Sequence, residues 1–195
     1  HVSSRRQRQM CIRDSVCSAP GGKSILLQSL GFNVLAIDKS QNQINKFKEN
    51  LNRLNIKINI QKLDFLKKKF TDKFNSILLD APCSALGTFR RNPDVTVKID
   101  PSQIRKHQKI QIQMLEKSLK MLNYGGFLVY IVCSFHPFET IDVIDKIIQK
   151  HKNVKIHSIE TDKMIKRQNG YFINPLSFKD IGGSDIFFVS VIEKI

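Results

Sequence analysis

The chain has 195 residues, 41% of them hydrophobic, which fits one globular domain with enough apolar side chains for a core. No apolar run approaches the ~20 residues of a membrane span, and the basic N-terminus lacks the apolar stretch of a secretory signal, so a cytoplasmic protein is expected. A formal net charge of +15 favours a polyanionic partner, nucleic acid first, although Lys67-Lys68-Lys69 taken alone reads as a solvated run.

Residues 1–15 carry Arg5, Arg6, Arg8 and Arg13 and no apolar run, and are expected to be a non-native or disordered leader ahead of one domain over 16–195. A glycine loop follows, Cys17-Ser18-Ala19-Pro20-Gly21-Gly22-Lys23, leading into a helical segment from Ile25 to Leu30 that Gly31 stops. Such a loop lets a ligand approach bare backbone N–H groups; its spacing matches neither the dinucleotide fingerprint nor the Walker loop. Val34-Leu35-Ala36-Ile37 reads as a strand ending in Asp38, placed to accept from ribose hydroxyls. Ser40 then caps a helix with Ile44, Phe47, Leu51 and Leu54 on one face. Ile56, Ile58 and Ile60 alternate as a strand, and Asp64 beyond it suits either an adenine amino group or a turn cap.

Two further apolar runs each end in a cysteine. Ser76-Ile77-Leu78-Leu79 precedes Asp80-Ala81-Pro82-Cys83-Ser84, and Phe127-Leu128-Val129-Tyr130-Ile131-Val132 precedes Cys133-Ser134. Between them, Asp100-Pro101 opens a long helix through Ile112, Leu115, Leu119 and Leu122, with Gly125-Gly126 as its stop. A helix over Ile141, Ile144 and Ile148 and a last strand from Ile186 to Ile192 complete a βαβ alternation, the pattern of an α/β fold with a parallel sheet. In such sheets ligands bind beyond the C-terminal ends of the strands, so two thiols there suggest covalent chemistry. The four cysteines show no C-x-x-C spacing, hence neither a metal site nor a disulfide framework is expected.

The glycine loop, the block Asp80-Ala81-Pro82-Cys83-Ser84-Ala85-Leu86-Gly87-Thr88-Phe89-Arg90-Arg91-Asn92-Pro93-Asp94 and the run Tyr130-Ile131-Val132-Cys133-Ser134 resemble motifs of the Sun (Fmu) family of RNA cytosine-5 methyltransferases, the bacterial small-subunit ribosomal RNA enzymes above all. The resemblance runs from Val16 to the C-terminus. It implies a class I, Rossmann-like methyltransferase fold, S-adenosylmethionine as cofactor, RNA as substrate, and a catalytic domain that is the C-terminal piece of a longer enzyme. By the same resemblance Cys133 is the nucleophile, Cys83 the base that releases the product, and Asp80 the hydrogen-bond partner of the cytosine. The cofactor would be held by Cys17, Ser18, Ala19, Pro20, Gly21, Gly22, Lys23, Asp38, Asp64 and Asp80. Arg90 and Arg91, beside the crevice, are expected to grip RNA phosphates.

Two departures from the family pattern stand out. Asp14-Ser15-Val16 follows a polar, Arg-rich segment where the family has an apolar strand ending in Asp, so the first strand of the sheet is expected to be missing; and Gln43 stands where the family has Arg. A DNA cytosine-5 methyltransferase is the nearest alternative, a non-catalytic RNA-binding module the alternative from another class.

Overall fold

The computed structural model describes residues 12–16 and 21–195. Among them, nine strands form one sheet in the order β3-β2-β1-β4-β5-β9-β8-β7, with β6 also paired to β9. The elements are β1 (Ile12–Val16), α1 (Gly22–Ser29), β2 (Leu35–Asp38), α2 (Gln41–Leu54), β3 (Asn59–Lys62), β4 (Phe74–Asp80), α3 (Val95–Lys98), α4 (Pro101–Met121), β5 (Leu122–Val132), α5 (Ile141–Lys150), β6 (Val154–His157), β7 (Ile165–Arg167), β8 (Gly170–Ile173) and β9 (Phe187–Lys194). Strands β1 to β5 run parallel, and β9 returns antiparallel against β5.

The expected α/β class is therefore found, with one correction: the first strand is not missing. Ile12–Val16 lies at the centre of the sheet, with Ser15 paired to Ala36 of β2 on one side and to Leu78 of β4 on the other. The sequence Ile-Arg-Asp-Ser-Val has apolar residues only at its ends, so a search for an apolar run passes over it. Its place depends on backbone pairing, which any side chain permits. The boundary drawn between 15 and 16 cuts through this strand.

Local chemistry accounts for the helices. Ser40 accepts from the Gln43 N–H and Asp100 from the Ser102 N–H, as N-caps should, and Pro101 occupies the first helical turn. Helix α2 turns Ile44, Phe47 and Leu51 inward, where Phe47 and Leu51 meet Ala36 of β2. On the other side of the sheet, Met114, Leu115 and Leu119 of α4 and Val143, Ile144 and Ile147 of α5 pack on Ile77, Leu79, Leu128 and Tyr130. Burying each such side chain is worth roughly 1.5–3 kcal/mol. Helix α4 ends at Met121, before the glycines expected to stop it, and β5 begins at once. Between Phe74/Leu122 and Ser76/Phe127 the β4–β5 register shifts, and Gly125, at φ +72°, lies within that irregularity.

Candidate active site

Adjacent strands β4 and β5 end level with one another, Asp80 opposite Ile131, so the segments that follow them leave the sheet side by side. That register brings Cys83 and Cys133 together, with their sulfurs 3.3 Å apart. Gly87 fixes the loop after Cys83. Its N–H donates to the Cys133 carbonyl at 2.9 Å and its carbonyl accepts from the Ile186 N–H at 2.9 Å. A Cβ there would lie 2.0 Å from the Ile186 carbonyl oxygen, so only glycine permits this approach. Ala85, just before this turn, has φ +60°, a conformation L side chains seldom adopt and one that strained loops at functional sites retain.

Beneath the thiols sits Glu139, completely buried. It accepts from the Ser84 N–H at 2.8 Å, the Ser84 hydroxyl at 2.5 Å and the Ser134 hydroxyl at 2.6 Å, and His107 Nδ1 lies 3.2 Å from the oxygen that takes the Ser84 N–H. Charge-assisted hydrogen bonds of this kind make a buried carboxylate tolerable. Sequence inspection missed Glu139; the signal was present, since each cysteine is followed by a serine and both serines need an acceptor. His136, two residues beyond Ser134, caps the short turn Pro137–Glu139 by accepting from the Phe138 N–H. Gln111 of α4 donates to the Pro82 carbonyl at 2.9 Å and holds the Pro-Cys turn from the helix side.

The two thiols are electrostatically distinct. Cys133 is held below the ordinary thiol range by the hydrogen bond it receives from Cys83, against the opposing pull of its own burial. Cys83 is pushed far above that range by the same hydrogen bond, by burial, and by the charges of Cys133 and Glu139. The pair therefore favours a Cys133 thiolate accepting the S–H of Cys83.

A cavity of about 630 Å³ opens beside the thiols, lined by Asp38, Asp64, Asp80, Cys83 and Cys133 together with Ile37, Gln43, Phe65 and Met114. Its size is that of a small-ligand site. Lys23 of α1 reaches across the strand ends to Asp80 at 2.6 Å. Asp38 accepts from the Ser40 N–H at 2.8 Å, and Asp64 accepts from the Leu66 N–H at 2.9 Å, so each carboxylate also closes its own turn. Carboxylates at the ends of β2 and β3 beside an apolar wall suit a ligand with hydroxyl or amino groups on a flat apolar ring. Gly21, at φ +103°, precedes α1, and a Cβ on it would collide with the Phe47 ring. Cys17, Ser18, Ala19 and Pro20, the rest of the expected loop, lie outside the described residues.

The two arginines expected to face RNA are both exposed, and each also bonds to another part of the protein. Arg90 donates to the Gly182 carbonyl at 2.9 Å, and Arg91 forms a forked ion pair with Asp185, both tying the Cys83 loop to the segment before β9. Asp185 is buried and its carboxyl is held below the usual range by the hydrogen bonds from Arg91. Among the described residues there is no cluster of three or more His, Cys, Asp or Glu able to hold a metal, and no helix long and apolar enough to cross a membrane.

Comparison with known proteins gives a consistent family. The family model described as 16S rRNA methyltransferase RsmB/F matches residues 6–192. Ribosomal RNA small subunit methyltransferase B of Photorhabdus laumondii is 32% identical over 184 residues, covering 92% of this chain and 41% of that protein. The protein of that name from Yersinia enterocolitica is 34% identical over 159 residues, 79% of this chain and 37% of the relative. This chain thus spans about two fifths of the length of these relatives. Among solved structures, NSun6 from Pyrococcus horikoshii with SFG superposes with a TM-score of 0.81 at 26% identity, covering 94% of this chain and 47% of that one.

Proposed function

The chain belongs to the 16S rRNA methyltransferase RsmB/F family, and on that premise we propose that it moves a methyl group from S-adenosylmethionine to carbon 5 of a cytosine in RNA, ribosomal RNA in particular, through a cysteine adduct. The observation that carries this is the thiol pair, 3.3 Å apart, with one sulfur favoured as thiolate and the other as thiol. Carbon 5 of cytosine is a weak nucleophile, and activating it takes a thiolate at carbon 6. Cys133 is that thiolate. Its addition forms a carbon–sulfur bond and moves the carbon 5–carbon 6 electron pair onto carbon 5. Asp80, oriented by Lys23, accepts from the exocyclic amine and so holds the cytosine ring in place. Bound S-adenosylmethionine supplies an electrophilic methyl on a sulfonium, whose sulfur leaves as a neutral thioether. Cys83, after giving its own proton to solvent, takes the proton from carbon 5 as a thiolate; the electron pair restores the double bond and expels the Cys133 thiolate.

The electrostatics support this order. While Cys133 is charged, Cys83 keeps its proton; once Cys133 is bonded to carbon 6 its charge is gone, and with it the hydrogen bond and the repulsion that raise Cys83. Attack thereby makes it easier for Cys83 to lose its proton to solvent, and only the resulting thiolate can serve as base. A DNA-type enzyme, in which the Pro-Cys thiol attacks, would need the opposite bias. For the cofactor, the cavity fits in both size and donor set: Asp38 for the ribose hydroxyls, Asp64 for the adenine amino group, and Ile37, Phe65 and Met114 as apolar wall. The catalytic domain of this reading runs from residue 12 to 195, with Ile12–Val16 supplying its central strand.

The deciding experiment uses S-adenosylmethionine labelled in the methyl group, a small-subunit ribosomal RNA transcript and the DNA of the same sequence. Label recovered as 5-methylcytidine from RNA alone is expected. Label in DNA, or at another atom, overturns the proposal; cofactor-independent RNA binding without transfer would make the chain a binding module.

A further inference from the structure

Apart from the exposed Arg90 and Arg91, a second and denser concentration of positive charge lies elsewhere. A groove of about 750 Å³ between the β3–β4 connection and α4 is lined by Lys67, Lys68, Lys69 and Lys73 from the connection and by Lys117 and Lys120 from the helix. Its acids are Asp72 and Glu116, and Glu116 is paired with Lys150 at 2.6 Å.

The lysine run is not a loose solvated tail. Lys117 donates to the Leu66 carbonyl at 3.0 Å and to the Lys68 carbonyl, and its ammonium lies 5.3 Å from the Phe65 ring centre and 5.4 Å from that of Phe70. One lysine thus clamps the segment carrying the others. At the far end Lys73 donates to the Lys120 carbonyl at 2.5 Å, closing the groove. Lys67, Lys68, Lys69 and Lys120 remain exposed. Holding like charges together in a fixed array is unfavourable without an anion, and lysine ammoniums are suited to phosphate as point charges that carry no sequence preference.

We propose that this groove is a docking track for the phosphate backbone flanking the target nucleotide, distinct from the catalytic cavity; it rests on RNA being the substrate. The placement fits that use. Leu66 lines both the catalytic cavity and the groove, so the two are neighbours. Phe74, just after Lys73, stands six strand steps from Asp80, a span of roughly 20 Å at about 3.3 Å per residue. The track therefore extends from beside the cavity toward the N-terminal end of β4, long enough for several phosphates.

The test compares the chain with its Lys68→Glu/Lys69→Glu/Lys120→Glu variant and, as a milder control on folding, the same three positions changed to Gln. Binding to a small-subunit ribosomal RNA transcript is titrated at several salt concentrations, alongside methyl transfer and cofactor affinity. Every phosphate left without its ammonium should lower the slope of log K against log salt by about 0.7–0.9, so a fall of roughly 2–3 is expected for three lysines. KM for RNA should rise about tenfold or more, with kcat and cofactor affinity unchanged. An unchanged slope and KM in both variants overturn the proposal, including the case where an acidic protein is the occupant. If the slope falls but the unaltered chain methylates no RNA, the groove stands and the methyltransferase assignment fails.

Discussion

Ser84 and Ser134, which follow the two cysteines in sequence, hold their hydroxyls 3.3 Å apart and donate to the same oxygen of Glu139. Two loops from different strand ends are thereby joined through one buried carboxylate, and the distance between the sulfurs is set from below. The Tyr130 hydroxyl, in the strand that delivers Cys133, donates to the Glu139 carbonyl at 2.7 Å and anchors the acid's own backbone. A serine after each cysteine is thus part of the device that aligns the thiols.

Glu139→Gln should weaken that alignment, because one accepting oxygen becomes a donating amide nitrogen, so either the Ser84 N–H goes unmet or both serine hydroxyls must turn away. A loss of about 1–3 kcal/mol per unmet group is expected, read as a lower denaturant midpoint, with methyl transfer falling further than stability accounts for. Ser84→Ala and Ser134→Ala should couple: the double variant should cost less than the sum of the singles, since both report on one carboxylate. Strict additivity in a double-mutant cycle would show that the serines act independently.

Some of this was legible in the sequence and some was not. The cysteine pair was, because each thiol ends an apolar run and parallel strands carry such ends to one edge. The caps at Ser40 and Asp100 were legible because capping is a local matter of one side chain and the next turn of backbone. Strand β1 was hidden because its pairing lies in the backbone, while Arg-Asp-Ser at its middle reads as polar loop. The ion pair of Arg91 with Asp185 was not legible because the two residues are 94 apart in sequence. Short strands β6, β7 and β8 were missed because only tertiary pairing with β9 or one another makes them strands.

Asp185 should make itself known in acid. Arg91 holds its carboxyl below the ordinary carboxylate value, so the charged form is favoured by folding. That contribution is complete above the unfolded value of about 3.9 and is lost as pH falls through the lower folded value. Asp185→Asn removes it. The variant should be less stable than the parent at neutral pH and converge with it toward strong acid, a difference that chemical denaturation at several pH values would measure. A constant gap at every pH would mean that packing, not charge, is what Asp185 contributes.

Asp38 lines the cavity at the end of β2 while closing its own turn through the Ser40 N–H. Asp38→Asn keeps an acceptor for that turn but removes the charge, whereas Asp38→Ala removes both. If the carboxylate receives ribose hydroxyls, affinity for S-adenosylhomocysteine should fall by about 1–3 kcal/mol in the Ala variant, with the Asn variant between it and the parent. Calorimetry gives the values directly. Equal affinity in all three would take Asp38 out of the cofactor site.

The two thiols can be told apart by what each variant traps. Cys133→Ala should abolish methyl transfer and any covalent adduct, since no nucleophile remains at carbon 6. Cys83→Ala should permit attack and transfer, then stall with the carbon–sulfur bond intact for want of a base at carbon 5. The trapped species should survive denaturing electrophoresis and carry the labelled methyl group. The same variant should shift alkylation of Cys133 by iodoacetamide to higher pH, because the S–H that Cys83 donates is what lowers Cys133. An adduct retained in Cys133→Ala and lost in Cys83→Ala would exchange the roles. An unmoved alkylation profile would mean that the 3.3 Å approach of the two sulfurs does not bias the pair.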